Sequence, residues 1–259
     1  MLLLALEQSS ATGSVAVLRD EKILAERAWD SLALRSGGLF ACLKDLLAAT
    51  ALNLKDVSCF VVDVGPGSYS GLRSSFAAAR AFALPESQAV YALTSAETLA
   101  FAIMAEFSAD LVQVVGDARR QQLWTCVYKR NGGMPVAQSK IQLVPENNFH
   151  PVPGAIVVSP DWKRLQSKLM NMNFKKVGTD SLSVRPDGQN AAGQAVPPYH
   201  RKQLPPLSVI AGGMLLIEEP RVPRAGYLGQ LAFQKMQLKI PGEPLNPIYL
   251  HAAVKEGAK

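Results

Sequence analysis

Short apolar runs alternate with polar turns over the first thirty residues of the chain. Met1–Leu6 and Ser14–Leu18 are two such runs, and the residues between them are rich in turn formers. After a second polar turn at residues 19–22, Ile23–Trp29 returns as a third run. Apolar runs bounded by turn-forming residues indicate strands joined by hairpins. The pattern therefore predicts a three-strand meander at the start of the fold.

Helical periodicity follows the meander. Apolar residues recur at spacings of three and four between Ser36 and Thr50, which is typical of an amphipathic helix. The remaining predicted elements of the first half are a buried strand at 59–64, a helix at 73–84 that ends before Pro85, a strand at 89–93 and a helix at 95–107. This order of strands and helices predicts a mixed sheet covered by helices.

A second series of strands begins near residue 111. Strands are predicted at 111–115, 122–129 and 135–143, so the meander is repeated. Ser159 followed by Pro160 marks a helix start. The rest of the chain predicts an irregular stretch at 178–206 rich in glycine and proline, helices near 207–219 and 226–237, and an extended segment at 242–250.

Composition and charge narrow the class of protein. The 259 residues are 48% hydrophobic, enough for a substantial core. Residues 1–159 carry 13 basic and 14 acidic side chains, whereas residues 160–259 carry 14 and 7, so the net charge of +6 arises in the second part. A solvated basic face and contact with a polyanion such as RNA both remain open. The basic residues concerned are Lys163, Arg164, Lys168, Lys175, Lys176, Arg201, Lys202, Arg221 and Arg224.

The sequence gives no indication of a metal site, a disulfide or a membrane segment. Cys42, Cys59 and Cys126 are odd in number and lie far apart in apolar surroundings, as expected for core residues in a reducing compartment. The three histidines lack the spacing of metal ligands. Every apolar run is too short to cross a bilayer. We therefore expect a cytoplasmic protein with no metal of its own and no membrane partner.

The stretch GPGSYSGLR at residues 65–73 raises the question of a phosphate site. It lies between a predicted strand and a predicted helix, where glycine-rich loops of nucleotide-binding proteins hold phosphates. Its residues lack the spacing of a P-loop, a dinucleotide fingerprint or a nucleophile elbow. A sharp turn and an anion-contacting or nucleotide-contacting loop both remain open. In the second case the contacting residues are Gly65, Gly67, Ser68, Ser70, Gly71 and Arg73.

Five segments together resemble one protein family. The N-terminal LLLALEQSSATGSVAVL, then GPGSYSGLR, VYALTSAETLA, GDARRQQLWTCVY and the closing PLNPIYL are similar to segments of the TsaB (YeaZ) family. The resemblance covers residues 1 to about 130 and resumes near the C-terminus. Members of this family are subunits of the machinery that makes threonylcarbamoyladenosine next to the anticodon of tRNA.

The resemblance implies an α/β fold of the actin, Hsp70 and sugar-kinase (ASKHA) group, in which two lobes each open with a three-strand meander. We expect residues 1–108 to form an N-terminal lobe with partner-binding helices. Residues 109–259 are then a less typical C-terminal lobe with an extended basic tail. The resemblance also implies that a paralogous subunit, TsaD, performs the transfer and that an ATPase, TsaE, completes the complex.

The first turn, formed by residues 7–13 between the first two predicted strands, departs from the family pattern. The resemblance implies an aspartate there, which in active members of the fold group positions magnesium, but the matching residue is Glu7, followed by Gln8 instead of a hydroxyl residue. The longer side chain displaces the carboxylate, and metal chemistry tolerates such shifts poorly. We therefore expect no catalytic residue in this chain, with Glu7 as a vestigial position. ATP or ADP and a divalent metal are expected in the partner subunits.

The resemblance implies a docking surface made by two helices, here 36–50 and 73–84. In the family this pair packs against the same pair of a TsaD-like subunit, or of a second TsaB copy in a homodimer. Small side chains permit close helix approach and larger ones supply anchors. The same residues could instead pack on their own sheet. The predicted partner-binding residues are Leu39, Phe40, Leu43, Leu47, Phe76, Ala77, Arg80 and Ala81.

Two main functions remain open from the sequence. The first is a non-catalytic scaffold that stabilises a TsaD-like transferase, together with a TsaE-like ATPase, and reaches tRNA indirectly through the complex. The second is an autonomous ATP-binding phosphotransferase or ATPase of the same fold group, and a metal peptidase is a third. Arg73, Arg119 and Arg120 could meet a nucleotide phosphate, tRNA or a partner carboxylate, or could be ordinary surface residues.

Overall fold

The computed structural model describes residues 1–31, 37–170, 174–176, 207–210 and 214–250. The first of its two sheets has the strand order β3-β2-β1-β4-β5. Strands β1 to β3 form the predicted antiparallel meander, and β4 and β5 run parallel to β1. The strands are β1 (Leu2–Glu7), β2 (Thr12–Arg19), β3 (Lys22–Asp30), β4 (Cys59–Asp63) and β5 (Ala89–Leu93).

The second sheet opens with the second predicted meander. Strands β6 (Leu111–Arg119), β7 (Gln122–Asn131) and β8 (Met134–Ala137) pair antiparallel in sequence order. The order of the main path is β11-β12-β13-β10-β6-β7-β8, and β9 pairs with β7. The further strands are β9 (Gln142–Pro145), β10 (Ile156–Val158), β11 (Phe174–Lys176), β12 (Leu207–Ile210) and β13 (Met214–Ile217).

Within the described residues, five α-helices cover the two sheets. One face of the first sheet packs against α1 (Gly38–Thr50) and α2 (Tyr69–Ala83). Its other face packs against α3 (Ser95–Phe107) and α5 (Ala225–Gln237). Since α3 also packs on β6 and β7, it lies between the two sheets, and α4 (Trp162–Met170) covers the other side of the second sheet. No helix in these described ranges is long and apolar enough to cross a membrane.

The C-terminal part of the chain returns to the first sheet. Lys235 on α5 forms a 2.6 Å ion pair with Glu97 on α3, and both side chains are nearly buried. After α5 the chain runs without helix, as predicted for 242–250, across the ends of β4 and β5. There the N–H of Glu243 donates to the Ala92 carbonyl (2.8 Å) and the N–H of Ile248 donates to the Val64 carbonyl (2.7 Å). The lobe boundary at residue 108 stays a prediction.

Three sequence predictions are corrected. The predicted helix at 207–219 is wrong, because β12 and β13 pair there as antiparallel strands. Two four-residue apolar runs flank Ala-Gly-Gly, a combination that suits a hairpin better than a helix. The predicted strand at 135–143 is two strands, β8 and β9, which pair with opposite halves of β7. The predicted irregular stretch at 178–206 lies outside the described residues.

The third correction concerns the start of α2. The sequence predicts this helix from Arg73, but it begins at Tyr69, inside GPGSYSGLR. Ser68 is the N-cap residue, and its hydroxyl accepts a hydrogen bond from the Gly71 N–H at 3.3 Å. Serine in this position satisfies one of the unpaired N–H groups of the first turn. Half of the glycine-rich stretch is therefore helix and only Gly65–Ser68 is turn.

Candidate functional site

Two carboxylic side chains meet where β1 and β4 end. The two strands are parallel with Leu6 opposite Val62, so Glu7 and Asp63 occupy adjacent positions at the carboxyl edge of the sheet. Ligands of α/β sheets commonly bind at this edge. Both side chains are fully buried, and they lie close enough for each to shift the pKa of the other. Glu7 was predicted from the sequence, but Asp63 was not, although an acidic residue at the end of a buried strand was the available signal.

The hydrogen bonds around this pair fix the first turn. Oε1 of Glu7 accepts from the Ser9 N–H at 2.7 Å and from the Ser9 hydroxyl at 2.5 Å. Oδ2 of Asp63 accepts from the Gln8 N–H at 3.2 Å. The other two carboxyl oxygens find no further donor among the described residues. The two acids therefore face each other instead of an open cleft.

Burial makes this pair retain a proton. It raises the pKa of Glu7 well above its ordinary value, and the negative charge of Asp63 raises it further. Burial also raises the pKa of Asp63, to about 6, although hydrogen bonds from Glu7 and from the Gln8 and Ser9 backbone lower it. At neutral pH we infer one shared proton, carried by Glu7 and donated to the Asp63 carboxylate.

The GPGSYSGLR stretch packs directly on the first turn. The Ser68 N–H donates to the Ser9 carbonyl at 2.7 Å. A Cβ atom at Gly67 would lie 2.2 Å from the Ser9 oxygen, and one at Gly71 would lie 2.0 Å from the Gln8 oxygen. The first turn thus presents carbonyl oxygens to this loop, and these repel anions. Gly65 has a left-handed φ of +93° and its carbonyl accepts from the Ser95 N–H.

A buried amide also ties the first turn to α2. Nε2 of Gln8 donates to the Ser75 hydroxyl at 2.9 Å, and both side chains are buried. The resemblance marked Gln8 as a departure from the hydroxyl residue of the family, and the structure gives this glutamine a packing role. Ser75 was not singled out from the sequence. A polar residue within an alanine-rich helix was the available signal.

The exposed end of the loop meets the C-terminal segment. The rings of Tyr69 and Tyr249 lie 5.2 Å apart, and both residues are about half exposed. Arg73 lies over the Tyr69 ring and donates to its hydroxyl at 2.7 Å. Ser68 and Ser70 are exposed beside this group, with their hydroxyl oxygens 3.5 Å apart. Contact of this loop with an anion or nucleotide stays a prediction.

The predicted partner-binding residues differ in burial. Leu39, Leu43 and Phe76 are buried in the core between the helices and the first sheet, so they pack within this chain. Leu47 is partly buried at the edge of the same core. The exposed members are Phe40, Ala77, Arg80 and Ala81.

A residue missed by the sequence analysis extends this exposed face. Leu84 follows α2 and is 78% exposed, and Phe40 on α1 is 55% exposed. Phe40 contacts Phe82 edge to face, with ring centroids 6.3 Å apart. Along α2, Arg73, Ala77 and Ala81 follow at intervals of four, which places them on one face of the helix. We call the exposed residues Phe40, Ala77, Arg80, Ala81 and Leu84 the helix face.

The predicted arginines after β6 occupy a tight turn far along the chain from the loop. Arg119, Arg120 and Gln121 all have left-handed φ, between 52° and 66°. Arg119 forms a 3.3 Å ion pair with Asp117, and both arginines are exposed. Within the part of the chain that the structure describes, no three His, Cys, Asp or Glu side chains converge as metal ligands.

Comparison with known proteins gives the family. A family model described as TsaD, tRNA N6-adenosine threonylcarbamoyltransferase, matches residues 36–182. The chain is 32% identical over 148 residues to the tRNA threonylcarbamoyladenosine biosynthesis protein TsaB of Bacillus subtilis (strain 168). That match covers 57% of this chain and 62% of the relative. The chain belongs to the TsaD-related family and resembles its TsaB (YeaZ) members, as the sequence predicted.

Solved structures confirm the fold. YeaZ from Pseudomonas aeruginosa superposes with a TM-score of 0.69 at 20% identity, covering 96% of this chain and 99% of that one. A second structure, described as an uncharacterized protein with similarity to peptidase YEAZ from Pseudomonas aeruginosa, gives 0.70 at 19% identity with the same coverage. The two-sheet α/β architecture predicted from the resemblance is therefore confirmed.

Proposed function

We propose that this chain is a non-catalytic subunit in the threonylcarbamoylation of tRNA adenosine, and that it acts in the cytoplasm by docking to a TsaD-like transferase. A TsaE-like ATPase completes the proposed complex, which binds the tRNA. ATP or ADP and a divalent metal bind in these partner subunits. The proposal is supported by the family model and by the name of the Bacillus subtilis relative.

The observation that carries the proposal is the helix face. Phe40 and Leu84 expose large apolar side chains, and Ala77 and Ala81 are exposed on α2 without long side chains to block a neighbouring helix. Burying a large apolar side chain contributes about 1.5–3 kcal/mol. Small residues let helix axes approach closely. A second copy of the chain is the alternative occupant when the transferase is absent.

The geometry of the first turn supports the non-catalytic role. Glu7 and Asp63 are fully buried and paired with each other, so neither carboxylate is presented to a substrate. The loop that could cradle a phosphate is packed on the carbonyl oxygens of Gln8 and Ser9. In this conformation the carboxyl edge of β1 and β4 is occupied by the protein itself.

Docking to the transferase tests the proposal. The full chain and the TsaD-like protein of the same organism are mixed and separated by gel filtration. We expect co-elution, and we expect Ala81→Arg to abolish it, because a long charged side chain would replace a small exposed residue of the helix face. Ala137→Arg, at an exposed position on β8, is the matched control and should co-elute normally.

Nucleotide titration separates this function from its rival. An autonomous phosphotransferase or ATPase would bind ATP at micromolar concentration and turn it over without partners. Turnover by the full chain alone, lost in Glu7→Gln or Asp63→Asn, would overturn the non-catalytic proposal. Failure of the wild-type chain to co-elute with the transferase at any concentration tested would overturn the docking proposal.

A further inference from the structure

A group of exposed cations lies where α4 covers the second sheet, and it is separate from the helix face. We define the basic face as five exposed residues on α4 and on the β6–β7 turn: Arg119, Arg120, Lys163, Arg164 and Lys168. Arg164 and Lys168 are four residues apart on α4, so they lie on one side of the helix. The buried side of the same helix packs on the second sheet through Trp162, Leu165 and Leu169.

Carboxylates lie beneath these cations. Asp117 is 12% exposed at its side chain and pairs with both Arg119, which is 65% exposed, and Arg164, which is 45% exposed. Both distances are 3.3 Å. Arg164 also pairs with Asp161, and Lys168 pairs with Glu146. The cations are therefore more exposed than the carboxylates that pair with them, and the face holds five cations against three carboxylates.

The same contacts hold the face in one arrangement. The Asp117 N–H donates to Asp161 Oδ2 at 2.9 Å, which joins the end of β6 to the start of α4. The Glu146 N–H donates to the Gln121 carbonyl at 3.1 Å, which places the partner of Lys168 beside the turn. Fixed side chains lose less conformational entropy on binding than free ones. Arg119, Arg164 and Lys168 are thus positioned before any ligand arrives.

Two other basic residues of the C-terminal half form ion pairs within the fold. Arg224 pairs with Glu26 at 3.2 Å, and Arg221 pairs with Glu106 at 3.0 Å; both arginine side chains are less than one-fifth exposed. The structure does not describe the side chains of Lys175, Lys176, Arg201 and Lys202. Among the described basic residues after position 160, Lys163, Arg164 and Lys168 therefore belong to the basic face, whereas Arg221 and Arg224 form internal ion pairs.

We propose that the basic face binds the phosphate backbone of RNA and contacts the tRNA substrate directly. This inference rests on the proposed function, which supplies tRNA as the polyanion within reach. Guanidinium and ammonium groups are the usual partners of phosphate oxygens. The exposed large aromatic side chains among the described residues, Phe40, Tyr69 and Tyr249, lie on other surfaces. Binding at the basic face is therefore electrostatic, independent of base sequence and sensitive to salt.

The test uses two residues of the face that carry no structural ion pair. Arg120 and Lys163 form no ion pair with any residue in the described ranges, so Arg120→Gln/Lys163→Gln removes two positive charges without uncovering a carboxylate. Lys55→Gln/Lys239→Gln removes two exposed charges elsewhere and is the matched control. Binding of the full chain to an unmodified tRNA transcript is measured by fluorescence anisotropy between about 50 and 200 mM salt.

We expect the Arg120/Lys163 variant to bind tRNA more weakly and with a shallower salt dependence. Each lost phosphate contact removes roughly 0.7–0.9 from the slope of log affinity against log salt, so the slope should fall by about 1.5. The control variant should keep both the affinity and the slope. An unchanged slope in the Arg120/Lys163 variant, or preference of the wild-type chain for polyglutamate over tRNA, would overturn the inference.

Docking to the transferase is measured on the same variants, so a result that contradicts one proposal can be distinguished from a result that contradicts the other. If the Arg120/Lys163 variant co-elutes with the transferase while tRNA binding is unchanged, the inference is wrong and the proposed function stands. If tRNA binding falls as expected but the wild-type chain does not dock, the basic face is supported and the proposed function is wrong.

Discussion

Glu7 and Asp63 lie side by side at the ends of two parallel strands, both side chains are fully buried, and we infer that they share one proton at neutral pH. Fully buried charges are costly, and one proton leaves a single negative charge that accepts hydrogen bonds from the first turn. The position where the fold group implies a metal-binding aspartate is thus built as a hydrogen-bonded structural pair.

This pair makes stability depend on pH. The pKa values of Glu7 and Asp63 are both raised by burial, so the folded chain binds more protons than the unfolded chain above about pH 4. Stability contributed by the pair is therefore present at acidic pH and is lost as pH rises through the raised pKa of Asp63, about 6, and then of Glu7. We expect the free energy of unfolding of the wild type to fall as pH rises through about 6 and beyond, in urea titrations at constant salt.

Glu7→Gln should flatten that dependence. The amide oxygen can accept the two hydrogen bonds from Ser9, and the amide nitrogen can donate to Asp63 without needing a proton. We expect the variant to be more stable than the wild type at pH 8 by about 1 kcal/mol. Glu86→Gln, an exposed position, is the control and should not change the pH profile. A Glu7→Gln profile that parallels the wild type would show that the pair does not titrate as described.

The glycines of the loop are predicted to be needed for packing. Gly71→Ala should destabilise the chain by about 2–3 kcal/mol, because its Cβ would lie 2.0 Å from the Gln8 carbonyl oxygen. Alanine would otherwise favour the helix at this position. A Cβ atom at Gly37 would have no neighbour within 4 Å. Because Gly37 is the N-cap of α1, Gly37→Ala should lower stability by at most about 1 kcal/mol. Equal losses in the two variants, measured by urea denaturation, would contradict this account.

Adjacent residues of α1 should separate folding from docking. Leu39 is fully buried, so Leu39→Ala should cost about 2–5 kcal/mol of stability. Phe40 is 55% exposed, so Phe40→Ala should cost less than about 1 kcal/mol. Phe40→Ala should instead weaken binding to the transferase by tenfold or more, as expected for an aromatic anchor. Thermal unfolding and calorimetric titration give the two readouts, and an unaltered Kd for Phe40→Ala would remove it from the interface.

The contact between α3 and α5 should depend on its ion pair. Lys235→Met leaves Glu97 buried without a partner, which typically costs 3–5 kcal/mol. Burial already raises the pKa of Glu97 and Lys235 lowers it, so the unpaired acid should take up a proton more readily. Adding Glu97→Gln to Lys235→Met should recover part of the loss. Absence of any recovery in urea titrations would indicate that packing, and not charge, stabilises this contact.

Much of the fold follows from local patterns. Residues 38–50 and 225–237 form helices because their apolar periodicity matches the helical repeat, and the two meanders follow from apolar runs separated by turns. The antiparallel strands β12 and β13 were predicted as a helix, because short apolar runs fit either element until a neighbouring strand such as β10, which pairs with β13, is known. Sequence patterns carry no information about that partner.

The candidate site was less predictable than the fold. Glu7 was found through the family resemblance, whereas Asp63 becomes its partner only through the parallel register of β1 and β4. Likewise, Leu39 and Phe40 are both large and apolar, and only the orientation of α1 on the sheet decides which one is exposed. The carbonyl oxygens that meet Gly67 and Gly71 belong to a segment about sixty residues earlier.

The most direct measurement is incorporation of labelled threonine into unmodified tRNA. The reaction contains the organism's TsaD-like and TsaE-like proteins and a source of threonylcarbamoyl-adenylate, with wild-type chain, Ala81→Arg, Ala137→Arg or no added chain. The account predicts incorporation with the wild type and Ala137→Arg, and little or none with Ala81→Arg or without the chain. Incorporation that proceeds equally well without the chain would contradict a role as a required docking subunit.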